Sequence, residues 1–111
     1  MKENEYQRKL IKKLKDMFPG CMILKSDPRY KQGVPDLLIF YNDRWASLEC
    51  KRGADSSKQP NQEYYVDLMN RMSFSRFIYP ENEKEVLNEL QRAFEFEGAT
   101  RSSGSEQIPL A

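Results

Sequence analysis

The sequence predicts a single α/β domain in which a four-stranded mixed sheet is flanked by helices. Three observations indicate this fold class. The 111 residues suffice for one hydrophobic core but not for two. Stretches with helical apolar periodicity alternate with short apolar runs in the order α-β-β-β-α-β-α. No apolar run approaches the roughly 20 residues needed to cross a bilayer, so no membrane association is expected.

The first helix is expected from about Glu3 to Phe18, because apolar side chains recur there at three- and four-residue spacing. Pro19-Gly20 ends this helix. The run from Cys21 to Leu24 then predicts a short strand, and the segment from Asp27 to Gly33 predicts a polar loop. The apolar stripe of the helix consists of Tyr6, Leu10, Leu14 and Met17.

The middle of the chain predicts two strands and a helix. The strands run from Asp36 to Tyr41 and from Trp45 to Lys51, and a tight turn at Asn42-Asp43 joins them. Pro60 suits the first turn of the helix that follows, since proline lacks the N–H that would be unpaired there.

The last part of the chain predicts a fourth strand from Ser75 to Tyr79 and a final helix that Pro80 opens. The small polar residues from Gly98 onward are typical of a disordered tail. We therefore expect one domain over residues 1–97 and a disordered segment over residues 98–111.

The residue types restrict the chemistry and the compartment. The chain has no histidine, which excludes His-based zinc sites and Ser-His-Asp triads, so hydrolysis would rely on carboxylates, lysine and a hard metal ion. Cys21 and Cys50 form no C-x-x-C motif, which favours two small buried thiols over a zinc knuckle or a disulfide scaffold. The alternative that Cys21 and Cys50 contact each other is left open. The charged N-terminus has no apolar stretch behind it, so we expect a cytoplasmic protein without a signal peptide.

Charge is divided unevenly along the chain. Residues 1–58 carry 13 Lys/Arg and 8 Asp/Glu, a net of +5, while residues 59–111 carry 5 and 9, a net of −4. The basic half suits contact with an anionic polymer, since clustered charge matters more than the total. A lysine-rich solvated helix explains the same pattern equally well.

The predicted hairpin brings two carboxylates together. If its turn has two residues, Tyr41 pairs with Arg44, and Asp36 then lies directly opposite Glu49. Directly opposed side chains share a face and have Cβ atoms about 4.5–5.5 Å apart. Lys51, two residues beyond Glu49, projects from the same face. A three-residue turn would shift this register by one position.

Two carboxylates at that distance repel each other unless a cation lies between them. Mg²⁺ prefers carboxylate and water oxygens and keeps positions open for a substrate phosphate. Such a site polarises a phosphodiester and acidifies a bound water, and a nearby ammonium can neutralise charge in the transition state. The alternative is a surface hairpin that carries an ordinary Glu–Lys pair.

These residues carry a family resemblance. Pro35-Asp36, twelve intervening residues and then Glu49-Cys50-Lys51 resemble the signature of PD-(D/E)XK nucleases. The segments Gly33-Val34-Pro35-Asp36-Leu37 and Pro60-Asn61-Gln62 resemble those of the VRR-NUC (virus-type replication-repair nuclease) family, in particular stand-alone members similar to Holliday junction resolvases. The resemblance covers about Glu3 to Leu90 and implies a restriction-endonuclease-like αβββαβ(α) core.

The resemblance also implies roles for individual residues. Asp36 and Glu49 would ligate Mg²⁺, for which Mn²⁺ can substitute, and the backbone carbonyl of Cys50 would be a further ligand. Lys51 would position the attacking water and stabilise the pentavalent phosphorus. Gln62 would reach back toward Lys51 or the phosphate, with a solvated helix glutamine as the alternative. No small-molecule cofactor is expected.

Family members also place an acidic residue on the first helix, near the metal. Glu3 fits this role best, because Tyr6, Gln7 and Leu10 follow it on one side of the helix. Glu5 is the second candidate. A plain N-terminal carboxylate favoured by the helix dipole is the alternative for either.

Contacts to DNA are expected from residues around the predicted metal site, each of which is equally explained as a plain surface residue. Nothing in the chain resembles a base-reading module, so we expect recognition of backbone and shape. The candidates are Lys25, Ser26, Arg29, Tyr30, Lys31, Arg52 and Lys58.

The sequence thus predicts a metal-dependent endodeoxyribonuclease that is selective for branched DNA and works as a homodimer. A homodimer supplies the two incisions that resolution of a junction requires. A restriction-type or non-specific nuclease, and a non-catalytic DNA-binding module on a nuclease fold, are the alternatives. Candidate interface residues, which packing inside the core would explain equally well, are Tyr64, Tyr65, Met69 and Met72.

Overall fold

The computed structural model describes the backbone fold of residues 1–104 and the side chains of residues 1–95. Its element order confirms the predicted α-β-β-β-α-β-α arrangement. The elements are α1 (Glu3–Met17), β1 (Met22–Lys25), β2 (Leu37–Tyr41), β3 (Arg44–Cys50), α2 (Pro60–Met72), β4 (Ser75–Ile78), a 3₁₀ turn (Pro80–Asn82) and α3 (Glu83–Gly104).

Several predicted boundaries differ by one residue from those in the structure. α1 ends at Met17, β1 ends at Lys25, β2 begins at Leu37, β3 spans Arg44–Cys50 and β4 ends at Ile78. Two further differences have a physical cause. β1 begins one residue later than predicted, because Cys21 still belongs to the turn that closes α1. Its N–H donates to the carbonyl oxygen of Phe18 at 3.0 Å, and Gly20 takes a φ of +89° there. Pro80 opens the 3₁₀ turn rather than α3 itself, since Asn82 Oδ1 accepts the N–H of Tyr79 at 2.8 Å and holds this turn closed.

The last helix extends beyond the predicted end of the domain. α3 continues to Gly104, so the first part of the predicted tail, residues 98–104, is helical. An existing helix gains one hydrogen bond for each residue added, which offsets the weak helical propensity of small polar residues. The rest of the predicted tail, residues 105–111, lies outside the described residues.

The four strands form one mixed sheet in the order β1-β2-β3-β4. β1 pairs antiparallel with β2 and β2 antiparallel with β3, while β3 pairs parallel with β4 through the crossover helix α2. The β2–β3 hairpin turns at Asn42-Asp43, where Asn42 adopts a φ of +57° that asparagine tolerates. Tyr41 pairs with Arg44, which confirms the predicted two-residue turn and its register.

The two faces of the sheet have different partners. One face packs against α1 and α3, and rings of Phe18, Tyr41 and Phe94 meet there with centroids 5.1–5.6 Å apart. The other face packs against α2, where the Ser47 hydroxyl contacts Ser75 Oγ at 2.7 Å and Met69 Sδ at 3.8 Å. Side chains alternate along β3, so Glu49 shares the α2 face with Ser47.

The α2 face is only partly covered. Leu38 and Phe40 of β2 lie on it, and the register places Leu24 and Met22 of β1 beside them. Met22, Leu24 and Phe40 are all exposed. Both cysteines are free thiols, with Cys50 buried and Cys21 half-buried. Over the part of the chain with described structure, no helix is both long and apolar enough to span a membrane.

Candidate metal centre

Three carboxylates from three elements converge at one end of the sheet. Asp36 stands immediately before β2, Glu49 lies near the end of β3, and Glu3 is the first residue of α1. One oxygen of each lies within 4.8 Å of the others. Glu49 is 3% exposed, Asp36 is half-buried and Glu3 is exposed, so the cluster has a buried floor and an open side.

The hairpin fixes the first two of these carboxylates through the backbone. Asp36 Oδ2 accepts the N–H of Cys50 at 2.9 Å, and Glu49 Oε1 accepts the N–H of Asp36 at 3.2 Å. Each carboxylate therefore bonds the amide of the opposite segment, which holds both oxygens in place. The cross-strand pairing predicted from the two-residue turn produces this arrangement.

Glu3 reaches the cluster because of how α1 packs. Tyr6, one turn further along α1, is 3% exposed, and its hydroxyl donates to Glu83 Oε1 of α3 at 2.8 Å. Lys13 pairs with the same glutamate. Glu5 instead accepts the N–H of Lys2 at 3.2 Å, at the start of the helix. Of the two candidates from the sequence, Glu3 is the one that joins Asp36 and Glu49.

Gln62 connects Lys51 to the carboxylate cluster. Its amide nitrogen donates to Glu49 Oε2 at 3.0 Å, and its amide oxygen accepts the Lys51 ammonium at 2.8 Å. The same oxygen accepts the N–H of Gln59 at 3.0 Å, which ties the side chain to the first turn of α2. Lys51 is 7% exposed, so its stem is buried. The structure thus places Gln62 beside Lys51, as the family resemblance implies.

Burial raises the pKa of all three carboxyl groups, and repulsion from Asp36 adds to the rise for Glu49 and Glu3. Burial, followed by the charge of Asp36, raises the pKa of Glu49 to about 8, against the opposing effect of Lys51. Burial also raises the pKa of Asp36, although the Cys50 N–H and Lys51 oppose the rise. Burial and then Asp36 raise the pKa of Glu3. Without a cation, the folded protein therefore favours the protonated form of Glu49 near neutral pH.

This donor set fits a hard divalent cation. Three carboxylate oxygens converge from separate segments, and Glu3 is exposed, so water could fill the other ligand positions of a cation. A bound cation would relieve the repulsion that raises the pKa of Glu49. The Cys50 carbonyl remains a predicted ligand. The Cys50 N–H donates to Asp36 Oδ2, and burial raises the pKa of the Cys50 thiol.

Three of the predicted DNA contacts lie close to the carboxylates. Lys25 is close enough to Asp36 to oppose the rise in the pKa of that carboxyl group. Arg52 opposes the rise in the pKa of Glu3 in the same way. Ser26 has a structural role, because its N–H donates to the carbonyl oxygen of Asp36 at 2.9 Å. Only Lys25 and Arg52 of these three present charge to the cluster.

The other predicted DNA contacts have partners within the chain or are exposed. Arg29 pairs with Asp27 at 3.1 Å, and the Lys31 ammonium lies 5.8 Å from the centroid of the Tyr65 ring. The Lys58 ammonium lies over the rings of Phe77 and Tyr79, at 5.2 and 5.8 Å. Tyr30 is 88% exposed.

Gly33 is a residue that the sequence placed in a motif without giving it a structural role. It has a φ of +91°, and a Cβ there would come within 2.8 Å of Asn61 Cγ. Gly33 therefore lets the loop before Asp36 lie directly on the start of α2. No spacing in the sequence reveals this close approach, which lies one residue before Gln62 on α2.

Replacing Gly33 by alanine is expected to lower the free energy of unfolding by about 2–4 kcal/mol, from backbone strain and displacement of Asn61. Gly20→Ala is the matched control, since Gly20 has a φ of +89° but nothing within 4 Å of the added Cβ. We expect that control to cost only about 1–2 kcal/mol. Urea unfolding of both variants measures the difference, and equal losses would contradict the close contact.

Comparisons of the chain with known protein families, with curated proteins and with solved structures each found no match.

Proposed function

We propose that this protein is a metal-dependent endodeoxyribonuclease that hydrolyses phosphodiester bonds in DNA, with a preference for branched DNA. The observation that carries the proposal is the convergence of Glu3, Asp36 and Glu49 within 4.8 Å, with Lys51 held beside Glu49 through Gln62. A surface hairpin with an ordinary ion pair would not bury Glu49 and Lys51 together.

Each residue has a physical task in this proposal. Asp36, Glu49 and Glu3 would hold Mg²⁺ or Mn²⁺, which when bound supplies a polarised phosphate and an acidified water. The Lys51 ammonium neutralises charge that develops on the phosphate oxygens. Gln62 fixes the position of that ammonium through its 2.8 Å hydrogen bond. Lys25 and Arg52 add positive charge at the rim of the site, where the DNA backbone would approach.

The preference for branched DNA and a homodimeric working unit belong together in the proposal. One subunit presents one carboxylate cluster, and two symmetric incisions need two such clusters related by a twofold axis. Tyr64 and Met72 are 58% and 65% exposed, as an interface requires, while Tyr65 and Met69 are half-buried. The exposed apolar residues of β1 and β2, described above, add to the surface that a second copy would cover.

We expect light scattering at micromolar concentration to give twice the monomer mass of 13.1 kDa. The double variant Leu24→Lys/Phe40→Lys would place two charges on the uncovered sheet face and is expected to yield monomers. Lys9→Glu, on the exposed side of α1, is the matched surface control. A monomeric wild-type chain at these concentrations would refute the dimer.

The test of the function compares four-way junction, flap, single-stranded and linear duplex DNA, each with Mg²⁺, Mn²⁺ or excess EDTA. We expect cleavage with either metal, none in EDTA, and faster cleavage of the branched substrates. The family resemblance implies 5′-phosphate and 3′-hydroxyl ends. Undiminished cleavage in EDTA would refute the metal site. Binding without cleavage under all conditions would indicate a non-catalytic module, and rapid cutting of linear duplex would indicate a non-specific nuclease.

A further inference from the structure

A short loop, residues 27–35, connects β1 to Asp36 of the cluster and carries an exposed aromatic ring, Tyr30. The hydrogen bond from the Ser26 N–H to the Asp36 carbonyl oxygen, at 2.9 Å, closes the loop at its base. Tyr30 follows Ser26 by four residues, so its Cα lies within about 14 Å of Ser26. The Tyr30 Cα is therefore at most about four nucleotide steps from the base of the loop, since successive nucleotides of one strand rise about 3.4 Å in duplex DNA.

Hydrogen bonds to Asp27 order the turn that carries Tyr30. Asp27 Oδ1 accepts the N–H of Arg29 at 2.9 Å, and the Asp27 carbonyl oxygen accepts the N–H of Tyr30 at 3.0 Å. The Arg29 guanidinium donates two hydrogen bonds to the same carboxylate, each at 3.1 Å. At 88% exposure, Tyr30 is the most exposed large apolar side chain among the described residues. The turn is thus ordered locally while the ring it carries points into solvent.

Further aromatic and basic groups surround the loop on the side of α2. The Lys31 ammonium lies 5.8 Å from the Tyr65 ring, and the exposed Tyr64 packs edge-on against Tyr65 at 5.0 Å. Gly33 holds the loop against α2 through its close approach to Asn61. Aromatic rings interleaved with basic groups are typical of surfaces that bind single strands, where the rings stack on bases and the cations follow the phosphates.

We infer that Tyr30 stacks on an unpaired base of the strand that is bound at the carboxylate cluster, and that this contact favours DNA with unpaired bases. The inference rests on the proposed function for the identity of the bound strand. A base inside a duplex is covered on both faces by its neighbours, whereas a base at a branch, flap or single strand offers a free face. Contacts from Lys25 and Lys31 to phosphates do not depend on base pairing, so they cannot supply this preference.

The test measures binding in EDTA, where no cleavage occurs in the proposed mechanism. A single-stranded oligonucleotide with one fluorescent base analogue, and the fully paired duplex of the same length, are titrated with the wild type and three variants. Tyr30→Ala removes the side chain, Tyr30→Leu keeps apolar bulk without the ring, and Tyr30→Phe keeps the ring. Because Tyr30 is exposed, the melting temperature of every variant should match the wild type.

We expect Tyr30→Ala and Tyr30→Leu to weaken binding of the single strand about tenfold, and Tyr30→Phe less than about twofold. Duplex binding should change less than about twofold in all three. Quenching of the base analogue by wild type and Tyr30→Phe, but not by Tyr30→Leu, would support stacking directly. Unchanged single-strand binding in Tyr30→Ala, an equal loss for duplex, or a wild type that binds no single strand would overturn the inference.

The same variants separate this inference from the proposed function. Single-strand binding that depends on the Tyr30 ring, in a protein that cleaves nothing with Mg²⁺ or Mn²⁺, would support the inference and refute the nuclease. Metal-dependent cleavage with binding that is indifferent to Tyr30 would support the nuclease and overturn the inference.

Discussion

The Asp36→Asn variant is expected to lose at least about a thousandfold in metal-dependent cleavage while its melting temperature stays equal to or above that of the wild type. The loss follows because a central carboxylate ligand becomes neutral, and each tenfold in rate corresponds to about 1.4 kcal/mol of barrier. Stability is kept because the asparagine carbonyl can still accept the Cys50 N–H, and removing one charge relieves the repulsion around Glu49.

The choice of position matters for this experiment. Glu49→Gln would change structure as well as charge. Both Glu49 oxygens accept hydrogen bonds, from the Asp36 N–H and from the Gln62 amide, and a glutamine could accept only one of them. Glu5→Gln is the matched control on α1, and Glu3→Gln tests the neighbouring residue that joins the cluster. Cleavage and thermal melting are measured on all variants. An inactive Asp36→Asn that is also unfolded would show that Asp36 is structural.

The stability of the metal-free protein is expected to fall as pH rises from about 5 to 8. The folded-state pKa of Glu49, about 8, lies above its ordinary value of 4.5, so in this window the folded state binds a proton that the unfolded state has released. Deprotonation then favours unfolding, by up to about 1.4 kcal/mol per pH unit for one proton. The raised pKa values of Asp36 and Glu3 act in the same direction.

Thermal melting in EDTA between pH 5 and pH 9 measures this effect, and a decrease of several degrees is expected for a domain of this size. Mg²⁺ should restore the melting temperature most at pH 8 and above, since the carboxylates must be deprotonated to bind it. Glu49→Gln should flatten the profile. A wild-type melting temperature that rises between pH 5 and 8, or that Mg²⁺ raises equally at all pH values, would contradict the raised pKa of Glu49.

Much of the arrangement around Asp36 and Glu49 follows from local rules that a sequence displays. The turn at Asn42-Asp43 fixes the pairing of Tyr41 with Arg44, and strict alternation along a strand then determines which side chains share a face. Apolar periodicity fixed the helices in the same way. These features depend on neighbours a few residues apart, so the order of the elements and the hairpin register agree with the prediction, while the start and end of α3 do not.

Other features depend on how elements pack, which spacing does not reveal. Whether Glu3 or Glu5 joins the carboxylate cluster depends on how α1 is oriented against the sheet. Contacts between residues far apart in sequence, such as that between Tyr6 and Glu83, determine this orientation. The contact of Gly33 with Asn61 joins segments that no periodicity connects. The Lys58 ammonium lies over the Phe77 ring of β4, a contact between segments that no spacing in the sequence reveals.

The central claim is that the carboxylates of Glu3, Asp36 and Glu49 together hold the divalent cation that cleavage requires. Calorimetric titration of Mn²⁺ into the wild type, Glu3→Gln, Glu5→Gln and Asp36→Asn tests this claim without reference to any substrate. Saturable binding should be present in the wild type and Glu5→Gln, weakened at least about tenfold in Glu3→Gln, and absent in Asp36→Asn. Binding that is equal in the wild type and Asp36→Asn, or absent from the wild type, would contradict the claim.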